Sequence, residues 1–182
     1  IICPADTHRR ASVYDAIVVG ARVAGSPTAM LLARQGCRVL LLDRDSFPSD
    51  IMSTHYIHLP GQARLQRWGL LDRVIATGAP WIKKRTLHFD GMAISPPDLP
   101  LPPGLSPDTL CPRRYLLDKI LVDAAVEAGA ELRQGASVRE LIWEGGRVAG
   151  VRGHIAGEPF EERARIVIGA DGMHSTVARE VK

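Results

Sequence analysis

Residues 15–20 (DAIVVG) form an unbroken apolar run closed by glycine. That is the pattern of a parallel strand buried on both faces. Residues 24–35 follow with helical periodicity, and Met30, Leu31 and Leu32 are apolar. Gly36 stands where a C′ residue ends a helix, and Pro27 falls in the first turn, where a missing N–H costs little. Residues 38–43 (RVLLLD) read as a second buried strand. Strand, glycine-rich turn, helix and parallel strand within about 30 residues make a βαβ unit.

The pattern beyond it predicts more elements. Residues 46–62 are irregular and 61–71 helical, and 85–94 read as two short strands around the hairpin pair Asp90-Gly91. Seven prolines across 95–112 predict an extended loop. Residues 113–128 form an amphipathic helix with Leu117, Ile120, Leu121, Ala124 and Ala125 on one side, ended by Gly129. Strands are expected at 131–133, 138–144, 147–154 and 160–170, with Gly145-Gly146 as a turn between the second and third. Asp171-Gly172 makes another turn, and a helix starts at Ser175. Residues 1–13 are polar and aperiodic and read as a tail.

Composition narrows the class. The chain has 182 residues, 46% hydrophobic and 24% charged, which suits one domain or one domain with an appendage. A formal charge of +3 with scattered basic residues does not argue for nucleic acid, and no nucleic-acid partner is expected. Cys3, Cys37 and Cys111 are isolated and odd in number, so neither a disulfide framework nor a cysteine zinc site is suggested, and a reducing cytoplasm is expected. The first residues do not form a signal peptide, and no apolar run is long enough to span a membrane. The missing initial Met suggests processing or a fragment.

The strongest chemical motif is GARVAG, residues 20–25. Gly20 permits the tight strand-to-helix turn, and Gly25 lets the helix pack close to the strand. The helix N-terminus then offers free N–H groups and a positive dipole end to a pyrophosphate, with Ala21, Ala24 and Ser26 as further candidate cofactor-binding residues of the turn. Asp43 ends the second strand about 20 residues after the first glycine, the spacing of a carboxylate that binds adenosine ribose hydroxyls. Arg22 replaces the middle glycine of the usual pattern. Its side chain must either turn away or place its guanidinium on a phosphate. Asp171 is delivered by a buried strand to the end where ligands of open α/β sheets collect. It serves there as a ligand to a hydroxyl or water, or as a cap for the helix at Ser175.

Three segments resemble the FAD-dependent oxidoreductases that include p-hydroxybenzoate hydroxylase-type monooxygenases and geranylgeranyl reductases. VVGARVAG with LLDRD resembles that family's first fingerprint, and RRYLLDKILVDAAVEAGAEL resembles the helix after its substrate-domain excursion. ARIVIGADGMHSTVAR resembles its Asp-Gly motif, and STHYIHLPG resembles bacterial members. The resemblance covers residues 13–182 and implies a three-layer Rossmann-like α/β FAD-binding domain with a parallel sheet, plus a partial β excursion of the substrate domain at 80–112. It implies FAD as cofactor and NAD(P)H as co-substrate. By resemblance, Asp43 and Arg44 hold the adenosine, Arg114 the phosphates or ribityl chain, Asp171 and Gly172 the central chain, and the Val138 backbone the adenine, unless Val138 is a plain core residue. Ser53, Thr54 and His55 fall where the family approaches the isoalloxazine ring. His55 and His58 are spaced like a metal pair but lack a third ligand, so no metal is expected.

The implied activity is NAD(P)H-dependent monooxygenation of a small organic substrate. A flavin-dependent reductase of isoprenoid double bonds and a non-catalytic nucleotide-binding module are the alternatives. The chain stops before the family's later Gly-Asp motif, so it is expected to be an N-terminal portion. Substrate, catalytic residues and oligomeric state are not legible.

Overall fold

A computed structural model describes residues 13–52, 56–83, 86–95 and 100–181. The chain divides into two compact units, residues 50–120 and the flanking segments 1–49 and 121–182.

The larger unit is built on a six-stranded sheet. Its strands are β1 (Val13–Val19), β2 (Val39–Leu42), β7 (Glu131–Arg133), β8 (Ala136–Glu144), β9 (Arg147–Ile155) and β10 (Glu158–Gly169), in the order β7-β2-β1-β10-β9-β8. β7, β2, β1 and β10 run parallel, as the continuous apolar runs of β1 and β2 predict for those two. β8 and β9 extend the sheet as an antiparallel meander, so the sheet is mixed rather than parallel throughout. The reason is local. Gly145-Gly146 and Ala156-Gly157 are two-residue connections with positive φ, which fold each strand back on its predecessor. β10 serves both halves: residues 158–163 pair with β9, and 163–169 pair with β1.

Both faces of the central strands are covered. Ile17, Val19, Leu40 and Leu42 share one apolar cluster with Ala136, Val138, Leu141 and Val151 of the meander and with Val177 of α5 (Thr176–Glu180). The alternating Ala16, Val18, Val39 and Leu41 are equally buried and point to the opposite face. Helix α1 (Gly25–Arg34) packs on β1 and β2, and its buried Ala29 and Met30 lie outside that cluster. Gln35 and Gly36 close α1, as the sequence predicts.

The smaller unit holds α2 (Leu59–Trp68), α3 (Leu71–Ile75), the pair β3 (Trp81–Ile82) and β6 (Thr109–Leu110), and the hairpin β4 (Leu87–Phe89) with β5 (Met92–Ile94). The single helix expected over 61–71 is two, because Gly69 takes a left-handed conformation and stops α2. The proline-rich stretch is not wholly loop, since β6 pairs with β3. The hairpin turns at Asp90-Gly91 as predicted, with both residues at positive φ. The unit boundary falls within α4 (Arg114–Glu127).

Candidate functional site

The register of the parallel strands fixes the site. Val19 is level with Leu42 on β2 and with Gly169 on β10. The next residues stitch the three strand ends together: the Gly20 N–H donates to the Leu42 carbonyl at 2.7 Å, and the Ala170 N–H donates to the Val19 carbonyl at 2.7 Å. Gly20, Asp43 and Asp171 therefore emerge along one carboxyl-terminal sheet edge. β2 and β10 flank β1 on opposite sides, so the strand order reverses there while the strands stay parallel, and such switch points form the ligand crevice of open α/β sheets.

The glycines of the turn are required by space. A Cβ on Gly20 would lie 2.4 Å from the Ala170 carbonyl oxygen, and one on Gly25 only 1.7 Å from the Gly20 carbonyl oxygen. Gly25 thus lets α1 start directly against the turn. Ser26 is fully buried, and its hydroxyl donates to the Ala21 carbonyl at 2.8 Å, tying the turn to the helix. Ala24 occupies the N-cap position, and no side chain caps α1 nor does any acidic residue stand in its first turn. The Ser26 N–H is taken by the Arg22 carbonyl at 3.0 Å and the Ala21 N–H by Asp43, so what the turn leaves for an anion is the positive dipole end of α1 rather than those two N–H groups.

Asp43 is buried, 7% exposed, at the end of β2. Its Oδ2 accepts the Ala21 N–H at 2.6 Å, and its Oδ1 accepts the Asp45 N–H at 2.9 Å. A carboxylate offers about four lone-pair sites, so each oxygen retains one for a ligand hydroxyl. Arg44 beside it is exposed.

Of the two fates open to Arg22, the structure takes the first. Its guanidinium turns to the loop after β2, donating to Asp45 Oδ2 and to Ser49 Oγ, both at 2.8 Å, and lies 5.4 Å from the Phe47 ring centroid. Asp45, Phe47 and Ser49 were not anticipated from the sequence. Their only signal is that they follow an acidic strand end.

Asp171 is committed to α5. Its Oδ1 accepts the Ser175 hydroxyl at 2.5 Å, and its Oδ2 accepts the N–H groups of Thr176 at 2.6 Å and Val177 at 3.3 Å. Ser175 Oγ in turn accepts the Ala178 N–H. Gly172 is exposed with φ +85°. Val138 is a buried member of the apolar cluster, paired to Gly153 on β9. Arg114 belongs to the smaller unit, where it forms a buried two-pronged ion pair with Asp118 at 2.8 and 3.0 Å. Ser53, Thr54 and His55 lie outside the described residues. The His58 ring is 3.3 Å from the Thr109 hydroxyl, and no cluster of three metal-ligating side chains occurs among the described residues.

A polar network crosses the larger unit at the start of β1. The Tyr14 hydroxyl donates to Glu131 at 2.6 Å, and Arg133 bonds to Glu131, Tyr14 and Glu162. Burial alone pushes the Glu131 carboxyl up, but the hydrogen bonds from Tyr14 and Arg133 outweigh it and hold it below its ordinary value. Burial and the bond to Glu131 push the Tyr14 hydroxyl up.

The residues present fit the adenosine diphosphate half of a dinucleotide. A close-packed glycine turn, an uncapped helix start and a carboxylate with unused acceptor sites stand at one edge. Comparison with known proteins agrees. The chain is 34% identical over 168 residues to digeranylgeranylglycerophospholipid reductase 2 of Methanopyrus kandleri, covering 91% of this chain and 39% of that one. It is 27% identical to the structure of OxyS anhydrotetracycline hydroxylase from Streptomyces rimosus, with a TM-score of 0.73 over 91% of this chain and 33% of that one. The flavin-dependent brominase Bmp2 shares the fold, with a TM-score of 0.81, 22% identity, and coverage of 93% of this chain and 40% of that one. The chain spans about two fifths of the length of the curated relatives it matches, 39% to 41% for three of them. A model of the FAD binding domain matches residues 13–182, and the chain belongs to that FAD-binding family.

Proposed function

We propose that the chain is the FAD-binding portion of an FAD-dependent oxidoreductase, and that the whole protein is an NAD(P)H-dependent monooxygenase of a small organic substrate. The observation that carries the reading is the meeting of the Gly20–Gly25 turn, the uncapped start of α1 and the Asp43 carboxylate at one sheet edge. Gly20, Ala21, Ala24, Gly25 and Ser26 would cradle the pyrophosphate with Arg22 bordering them, and Asp43 with Arg44 would hold the adenosine ribose. Val138 would pass its backbone by the adenine, and Asp171 and Gly172 would support the central chain. FAD supplies the electron and hydride chemistry when bound, and the chain's own residues bind and orient it. Asp43 disfavours a 2′-phosphate, which suits FAD rather than a phosphorylated dinucleotide at this site. A cytoplasmic setting belongs to the same proposal. Among the described residues no helix is long and apolar enough to cross a membrane.

The 27% identity to a hydroxylase supports monooxygenation. The 34% identity to digeranylgeranylglycerophospholipid reductase favours a second reading, reduction of an isoprenoid double bond. The first test is the visible spectrum of the purified chain with and without added FAD. A colourless chain that takes up no FAD refutes the flavoprotein reading, and flavin uptake with no turnover by the whole protein leaves only a binding module. For the whole protein, NAD(P)H oxidation that requires O₂ supports the monooxygenase. Anaerobic consumption of a polyprenyl substrate supports the reductase.

A further inference from the structure

We propose that Arg22 is a positioning residue for the adenosine ribose, aiming the Asp43 carboxylate by clasping the two segments that hydrogen-bond to it. The proposal rests on the FAD reading above. Asp43 takes one N–H from the glycine-rich turn, at Ala21, and one from the loop after β2, at Asp45. Arg22 is the neighbour of the first donor, and its guanidinium is paired to the side chain of the second. The bonds therefore close a ring. Asp43 joins turn to loop on the inside, and Arg22 joins the same two segments on the outside, with Ser49 and the Phe47 ring as further holds.

The ring matters because the ligand sites of Asp43 are what its two N–H bonds leave over. If either segment drifts, the carboxylate rotates and its free lone pairs no longer face two adjacent hydroxyls. A glycine at position 22 makes neither the ion pair nor the ring contact. The Arg22 side chain is only 18% exposed, so the pair is partly desolvated and outlasts an open surface pair. An arginine where the fingerprint has glycine thus gives up some room at the turn and gains a fixed carboxylate.

The ligand itself tests this. FAD and its analogue lacking the adenosine 2′-hydroxyl are titrated by flavin fluorescence against wild type, Arg22→Gly, Arg22→Lys and Asp45→Asn, with circular dichroism confirming the fold of each. Wild type should prefer FAD by about tenfold, the worth of one hydrogen bond. Arg22→Gly should lose most of that preference, mainly through weaker FAD binding, with the analogue's affinity changing less than about threefold. Asp45→Asn should reproduce the loss, and Arg22→Lys should restore part of the preference. Equal weakening of both ligands in Arg22→Gly and Asp45→Asn overturns the proposal, as does an intact preference in both. A wild type that binds FAD without preference overturns the Asp43–ribose contact and the proposal with it. A wild type that binds neither ligand overturns the FAD reading itself.

Discussion

Gly25→Ala gives the sharpest test of the turn, because two effects of opposite sign act at one position. Alanine is the better helix former, by about 1 kcal/mol. Gly25 is the first residue of α1, and its φ is not in the left-handed region, so the backbone tolerates a side chain. Space does not. The added Cβ would sit 1.7 Å from the Gly20 carbonyl oxygen, about half the separation of ordinary contact, and 2.9 Å from its carbon. Those atoms are backbone, pinned by the Gly20 N–H bond to Leu42, so α1 must retreat from β1 by more than 1 Å, roughly the overlap that has to be relieved. Overpacking typically costs about 1–3 kcal/mol, and an overlap with fixed backbone belongs at or above the upper end. The net loss should be about 2 kcal/mol or more, a fall of roughly 4–8 °C in Tm for a chain of this size. Because the displaced element is the proposed pyrophosphate cradle, FAD affinity should fall with it. Gly36→Ala is the control. It has φ +79° with no atom within 4 Å of the added Cβ, so it pays only for the left-handed backbone, about 1–2 kcal/mol, and leaves FAD affinity unchanged. Thermal melts and FAD titrations of the three proteins decide the matter. A Gly25→Ala chain as stable as wild type, with wild-type FAD affinity, refutes the close approach.

Three other outcomes follow from the same geometry. Asp43→Ala should weaken FAD binding by about 1–3 kcal/mol, roughly 5- to 150-fold in Kd, and an unchanged Kd in a fluorescence titration refutes the ribose contact. Asp171→Ala removes three hydrogen bonds at the start of α5 and should cost about 0.5–2 kcal/mol in a denaturant melt, with no loss refuting the cap. Glu131 is held below its ordinary value of 4.5, so its contribution to stability is present above that pH and disappears as the pH falls through the lower folded value. The Tm of wild type should therefore fall more steeply below pH 4.5 than that of Glu131→Gln, and parallel curves refute the network's role.

The βαβ unit was legible because it is local. A buried strand, a glycine turn and a second strand write their own periodicity within one stretch, and β1, α1 and β2 fall within a residue or two of expectation. The antiparallel half of the sheet was legible as strands but not as an arrangement. Nothing in residues 158–169 says that one strand pairs with β9 at its start and with β1 at its end. The break at Gly69 was legible in principle, since a glycine inside a helical pattern is a stop signal. The partners of Arg22 were not, because Asp45 and Ser49 stand 23 and 27 residues away and come alongside only through the strand register.

The two acidic candidates looked alike in the sequence, each at the end of an apolar strand, and the structure separates them. Asp43 takes one donor on each oxygen, so both oxygens keep an acceptor site. Asp171 takes one donor on Oδ1 and two on Oδ2, which fills the second oxygen. With about two lone-pair sites per oxygen, Asp43 can grip a pair of adjacent hydroxyls and Asp171 can accept from one group at most. Asp43 is also the more buried, so a hydrogen bond to it is less diluted by water. The ranking has a consequence for the Asp-Gly segment. Asp171 acts mainly by holding the start of α5, which seats Val177 in the apolar cluster beneath the sheet edge. The same substitution made at both positions should therefore differ in ligand affinity. At Asp43 it should lower both stability and FAD affinity, and at Asp171 chiefly the stability of the fold that presents the site.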